Sequence, residues 1–172
     1  KALIQTYMTG ECDREEYSTC LFFIQYKNII IDKKNIQLII QLDESANNNA
    51  TNRRLSYCLA DVIIFCFCLV NKYSYQQIET QYRKEILKYC ENKPYILVGL
   101  KKDKRDNFNS IEKSYFENVK IKTRKGERLK EKINAQNYIE CSSWEHENIN
   151  EVFETAINLV LNGSQNTNKD AH

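Results

Sequence analysis

The sequence predicts an α/β fold, a mixed sheet flanked by helices on both faces. Four short apolar runs rich in β-branched or aromatic residues, Ile36 to Leu42, Val62 to Val70, Tyr95 to Leu100 and Tyr138 to Cys141, are each bounded by polar segments, as buried strands are. Helix-period segments lie between the later runs. The 172 residues, 42% hydrophobic and 28% charged with four Gly and one Pro, describe one globular domain that buries about two thirds of its unfolded surface.

Each element follows in order. Lys1 to Tyr7 opens on a helical pattern with Leu3, Ile4 and Tyr7 on one face. Leu21 to Ile31 and Ile36 to Leu42 flank a turn at Asp32-Lys33-Lys34-Asn35 and read as an antiparallel hairpin. Asn47 to Asn52 is polar and short of helix formers, which predicts a mobile loop. Ile78, Tyr82, Ile86 and Tyr89 mark one helix face, and Val152, Ala156, Leu159 and Val160 another. Residues 1–162 form the domain, interrupted by a charged insert at about 108–128 and followed by a polar tail, 163–172. A sheet of this kind has a buried first strand, yet the chain opens on a helix, so a strand upstream of Lys1 is expected. Without it, interior strands would carry unpaired backbone groups, a cost on the order of several kcal/mol. With it, the sheet has six strands.

Composition excludes several functions. The net charge of +2, and eight basic against four acidic side chains from Ile111 to Lys132, give no nucleic-acid footprint, so no nucleic-acid partner is expected. The longest apolar run, Val62 to Val70, is about half of what a membrane-spanning helix needs, so no transmembrane segment is expected. Seven cysteines, an odd number without a C-x-x-C, read as reduced thiols and a cytoplasmic chain. Cys66 and Cys68 share one face of a strand and read as core. The two histidines, His146 and His172, and the scattered cysteines make no zinc ligand set.

The run Pro94-Tyr95-Ile96-Leu97-Val98-Gly99-Leu100-Lys101-Lys102-Asp103 is a buried strand ending in Lys-x-Asp, and it resembles the base-reading strand of Ras-superfamily GTPases. Arg54-Leu55-Ser56-Tyr57, then Ala60 to Val70, then Tyr138-Ile139-Glu140-Cys141-Ser142-Ser143 are similar to the Rho/Rac branch. The resemblance runs without a gap from about Tyr17 to Asp106 and resumes from Arg128 to Leu161. The charged stretch between them stands where Rho proteins carry an insert helix. The resemblance implies a Ras-like P-loop NTPase fold.

The resemblance also implies a guanine pocket at Lys101, Asp103, Ser142 and Ser143. A carboxylate at Asp103 accepts from guanine N1 and the exocyclic amine, a donor pair adenine lacks, while the aliphatic stem of Lys101 lies across the ring. Leu100 replaces the motif's Asn or Thr, and Ser143 replaces an alanine. The phosphate end departs further, because no P-loop glycine is present. Extending the Tyr17-to-Asp106 frame upstream puts Lys1 on the P-loop lysine and Ala2 on the Mg²⁺-binding Ser/Thr. Matching the helix through Leu3, Ile4 and Tyr7 instead puts Lys1 on the Mg²⁺ position. In the first frame the switch I threonine becomes Cys20, and in the second it is Thr19. Leu42 replaces the aspartate that contacts Mg²⁺ through water, Ser45 the γ-phosphate-sensing glycine and Ala46 the water-orienting glutamine. A slide of one residue recovers Asp43 for the aspartate but leaves Ala46 and Asn47 for the other two.

Mg²⁺ is hard and oxygen-seeking, and both registers remove its hydroxyl and place an ammonium nearby. Without the metal and the glutamine, phosphoryl transfer loses most of its charge stabilisation and orientation. The expectation is a Rho-like signalling protein that binds guanine nucleotide (GTP or GDP) weakly and without Mg²⁺ dependence, or not at all, and with hydrolysis lost. It would act through effector or regulatory proteins, with Phe22 and Phe23 as contact candidates. The alternatives are an active GTP/GDP switch completed by residues upstream of Lys1 or by a partner, and a structural module of a larger protein. The chain ends Asn168-Lys169-Asp170-Ala171-His172, without a prenylation box, so any membrane association is expected to be peripheral, through partners.

Overall fold

The computed structural model describes residues 1–12, 22–31, 33–43, 50–90, 92–107 and 120–167. Chain order is α1 (Ala2–Thr9), β1 (Phe22–Ile31), β2 (Lys34–Asp43), α2 (Ala50–Leu59), β3 (Ile63–Cys68) and α3 (Lys72–Gln77). A π turn (Ile78–Tyr82), α4 (Arg83–Tyr89), β4 (Tyr95–Leu100), α5 (Lys102–Asp106), α6 (Thr123–Ile133), β5 (Tyr138–Glu140) and α7 (Ile149–Thr167) follow. The five strands expected between Leu21 and Cys141 are present.

The described strands form two sheets, an antiparallel β1–β2 hairpin and a parallel sheet in the order β3–β4–β5. The expected single sheet of six strands is therefore not seen: its sixth member was the strand anticipated upstream of Lys1, and without a strand between them the hairpin and the parallel sheet stay separate. The hairpin turn is tighter than the sequence suggests. Ile31 pairs with Lys34, so Lys34 and Asn35 belong to β2, and Lys33 takes a left-handed φ of 64°.

β4 is the central strand, with Tyr95 to Gly99 all buried because both of its faces are covered. On one face Phe65, Phe67, Leu69, Tyr95 and Leu97 pack with Tyr57 of α2, Ile78, Ile86 and Cys90, and with Leu129 and Ile133 of α6. On the other, Ile96, Val98 and Ile139 pack against Leu3 and Ile4 of α1 and against Val152, Phe153, Ala156 and Ile157 of α7. The inward side of the hairpin, Phe23, Ile29, Ile31, Leu38, Ile40 and Leu42, leans on this second cluster.

α1 stops where Gly10 turns left-handed at φ 77° and donates its amide to the Thr6 carbonyl, a conformation glycine adopts without strain. Tyr7 stacks on Phe153 at 3.9 Å, and Lys27 Nζ lies 3.9 Å above the Tyr7 ring while donating to its carbonyl at 2.7 Å, which clips the hairpin to α1 and α7. Asn71 caps α3 by accepting from the Tyr73 and Ser74 amides at 2.9 and 3.2 Å.

Two further expectations change. Residues 50–52, read as loop, are the first turn of α2, whose buried Arg53 and Tyr57 anchor it to α4, so tertiary contacts override weak local propensity. Cys66, read as core with Cys68, is exposed, whereas Phe65 and Phe67 on the opposite face of β3 are buried; Cys68 is half-buried. Residues 123–128 form the first half of α6, with Gly126 buried, and residues 163–167 continue α7. Residues 108–119 lie outside the described residues. None of the described helices is long and apolar enough to cross a membrane.

Candidate functional site

The site forms where β4 and β5 end. The parallel register, with Gly99 opposite Glu140, carries both strand ends to one edge of the sheet. There the Cys141 amide donates to the Gly99 carbonyl at 2.9 Å and the Lys102 amide to the Cys141 carbonyl at 3.1 Å, which fixes the two following loops side by side. Lys101 takes the left-handed conformation, φ 63° and ψ 45°, between β4 and α5. For a residue with a Cβ this backbone costs on the order of 1 kcal/mol and turns the chain sharply enough to bring Asp103 back over the sheet edge.

Asp103 meets Ser142 directly. The fully buried Ser142 hydroxyl donates to Asp103 Oδ1 at 2.7 Å and accepts the Glu145 amide at 3.0 Å. Asp103 Oδ2 carries no hydrogen bond among the described residues. A carboxylate offers about four lone-pair positions, so this one, held by a single buried donor, retains room for two more. Ser143 is half-buried and Lys101 exposed beside them. Leu100, at the motif's Asn or Thr position, packs into the α1–α7 cluster.

The surrounding loop is braced from both sides. Ser142 and Glu147 exchange backbone hydrogen bonds of 3.0 and 2.9 Å, and Lys102 Nζ donates to Glu147 Oε1 at 2.6 Å. That bond raises the Lys102 ammonium above its usual range. Asn107 Nδ2 donates to Glu145 Oε1 at 2.7 Å and Asn148 Nδ2 to the Glu140 carbonyl at 2.8 Å. His146 and Asn148 both hold left-handed φ values, 56° and 58°, and these bonds offset the strain. Beneath α5, Arg105 donates to Glu140 Oε1 at 2.7 Å, and Glu140 also takes the Tyr138 and Thr123 hydroxyls at 2.7 and 3.1 Å. Burial raises the adjacent Cys141 thiol to about 12.

The structure thus brings Asp103, Ser142 and the Lys101 turn together. Lys1 begins α1, its carbonyl accepting the Gln5 amide at 3.0 Å, and Ala2 is exposed. Leu42 leans into the α1–α7 cluster and offers no oxygen. Asp43 contributes backbone to β2, paired with Phe22. Thr19, Cys20, Ser45 and Ala46 lie outside the described residues.

Of the two contact candidates, Phe22 contributes its backbone to β1, and Phe23 points inward, half-buried against the α1–α7 cluster. The outward face of the hairpin, which sequence reasoning missed, carries Ile24, Tyr26, Ile30 and Ile39, all exposed, with Asn28, Asn35, Gln37 and Gln41 among them. Its signal was present in β1, whose apolar residues fall on both faces of the strand, Phe23, Ile29 and Ile31 on one and Ile24, Tyr26 and Ile30 on the other. Trp144 is 47% exposed in the braced loop.

A sequence model described as "Ras family" matches residues 1–162. That match covers both halves of the base-side cluster and all of the described sheet, and the chain belongs to the Ras family of small GTPases.

Proposed function

We propose that this chain is a Rho-like member of the family that holds guanine nucleotide by its base, does not depend on Mg²⁺, hydrolyses GTP negligibly, and signals by presenting a protein-binding surface. The Ras-family fold generally binds GTP or GDP, and its members act through effector and regulatory proteins.

The single observation that carries the reading is the Ser142–Asp103 bond at 2.7 Å beside the left-handed Lys101. The buried hydroxyl orients the carboxylate. Its remaining lone pairs accept the N1–H and exocyclic N–H of guanine, whereas adenine presents an acceptor at the ring position and meets repulsion. Lys101 contributes its stem to one face of the base.

The residues that would meet the phosphates and metal fit that role poorly. Mg²⁺ takes near-octahedral oxygen ligands. Lys1 offers an ammonium, Ala2 a methyl group, and Leu42 an apolar side chain already leaning on the core. Triphosphate bound by this chain would therefore lack the charge neutralisation and the positioned water that hydrolysis requires. A sixth strand between β2 and β3 would join the two described sheets, since the hairpin and the parallel sheet rest on the same α1–α7 layer. The six described cysteines are free thiols, in keeping with a reducing, cytoplasmic setting. Titration of the full-length protein with GDP and a non-hydrolysable GTP analogue, with and without Mg²⁺, tests this reading: guanine-selective binding indifferent to Mg²⁺ supports it, and Mg²⁺-dependent binding with turnover refutes it.

A further inference from the structure

The start of α6 carries charge of the wrong sign for its place. A helix N-terminus is the positive end of the helix dipole and favours Asp or Glu, yet residues 120–125 hold Lys120, Lys122, Arg124 and Lys125 and no acid. Lys122 stands at the capping position with the extended backbone a cap requires, φ −70° and ψ 148°, but its side chain makes no capping hydrogen bond. The first amides of a helix have no partner inside it, and an ammonium cannot accept from them.

These residues border an open cleft. Arg105, Asp106, Lys120, Lys122 and Thr123 line a space of about 460 Å³, within the range of ligand sites, about 300–1,000 Å³. Three of the five are cations and one is an acid, so the cleft attracts anions. Arg105 is a fixed wall, its side chain only 10% exposed, donating to Glu140 Oε1 and to Asp106 Oδ1, each at 2.7 Å. Both carboxylates are thereby answered. Glu140 also takes the Tyr138 and Thr123 hydroxyls, and Asp106, whose carboxyl the Arg105 bond holds below its usual range, also has Lys102 at 3.7 Å. Lys122 is exposed and makes no ion pair among the described residues, so its charge at the mouth of the cleft is not cancelled there.

We propose that this cleft binds a phosphate monoester, with the Lys122 ammonium and the opening amides of α6 donating to the phosphoryl oxygens and Arg105 as the wall behind them. A phosphate monoester brings close to two negative charges and three strong acceptor oxygens, so it reverses the sign conflict at the helix start and supplies the missing cap together. A single carboxylate or a phosphodiester does less of both. The rest of the space takes an organic body, either that of a soluble phosphate or the headgroup of a phosphorylated lipid. Neither Asp103 nor Ser142 lines the cleft, which makes the site separate from the guanine pocket.

The test uses the full chain in phosphate-free buffer. Calorimetry with inositol trisphosphate should show binding at a Kd below about 1 mM, and uncharged inositol should show none. Lys122→Asp should bind at least about tenfold more weakly and yet raise Tm by about 2–6 °C without ligand, because it supplies a cap of the favoured sign. Lys122→Gln, expected to bind at least about threefold more weakly, reads the affinity without adding a charge. Lys84→Gln removes an exposed cation from α4 and should change nothing. Vesicles assign the source: pelleting with phosphatidylinositol monophosphate but not with phosphatidylserine identifies the lipid headgroup, and equal behaviour with both identifies a soluble phosphate. The site is overturned if inositol trisphosphate does not bind at about 1 mM and the phosphorylated lipid is not preferred. It is also overturned if the Lys122 variants keep wild-type affinity, if Lys84→Gln weakens binding as much as they do, or if Lys122→Asp lowers Tm.

Discussion

Arg53 reaches from α2 into the core and grips Glu85 of α4 with two bonds, Nε to Oε2 at 3.0 Å and a terminal nitrogen to Oε1 at 2.6 Å, and the Tyr57 hydroxyl adds a third at 2.9 Å. The two charged side chains are only 5% and 14% exposed. The hydrogen bond to Glu85 raises the Arg53 guanidinium above its usual range, and burial first, then Glu85, raises the Tyr57 phenol. Arg53→Met keeps most of the length and volume, so its cost measures the orphaned Glu85 carboxylate. For a pair buried this deeply, removal of one partner costs about 3–5 kcal/mol. Urea unfolding at pH 7 should show that loss as a lower midpoint at unchanged m. Burial without its cation would raise the folded carboxyl of Glu85, so protonation favours the folded variant and part of the loss should return as pH falls towards 5. The double variant Arg53→Met/Glu85→Met should be more stable than Arg53→Met, because no charge is left buried. A single-variant loss below about 1 kcal/mol, or a double variant in which the two losses add, would refute the clamp as the anchor of α2.

Other outcomes follow from the same contacts. A Cβ on Gly126 would land inside the Tyr138 ring, so Gly126→Ala should destabilise by about 1–3 kcal/mol despite alanine's better helix propensity, as thermal unfolding would register. Burial raises the Cys90 and Cys141 thiols to about 11 and 12. Unfolded thiols titrate near about 8.5, so the stability these groups contribute is complete below that pH and is lost as pH rises towards 12, and urea midpoints should fall across that window. Over the same range exposed Cys58 should alkylate with iodoacetamide long before Cys90 and Cys141. Asp103→Asn presents a donor where guanine needs an acceptor and should weaken GDP at least about tenfold by calorimetry.

The strands were legible because their signals are local. Tyr95 to Leu100 is apolar on both faces and became the central strand, buried from Tyr95 to Gly99, and β1 is apolar enough to read as a strand although its apolar residues fall on both faces. Lys-x-Asp and the Ser142-Ser143 loop, 39 residues apart, could be paired only through a resemblance, and the hydroxyl-to-carboxylate bond now joins them. Other features depend on neighbours that no local pattern encodes. Cys66 read as core because apolar runs imply two covered faces, yet in β3 the face of Phe65 and Phe67 is the buried one. Residues 50–52 read as loop because Asn and Thr are weak helix formers, and the Arg53–Glu85 contact across 32 residues outweighs that preference. The inward turn of Phe23 and the outward turn of Ile24 follow from hairpin register, and a shift of one residue would exchange them.

The central claim is that the base side of the nucleotide site persists without a working metal side. Calorimetric titration of full-length protein with GDP, with and without Mg²⁺, tests it most directly. The account predicts guanine-selective binding whose affinity changes less than about threefold on adding Mg²⁺. Binding tightened by orders of magnitude with Mg²⁺ would contradict it and make the protein a metal-dependent switch.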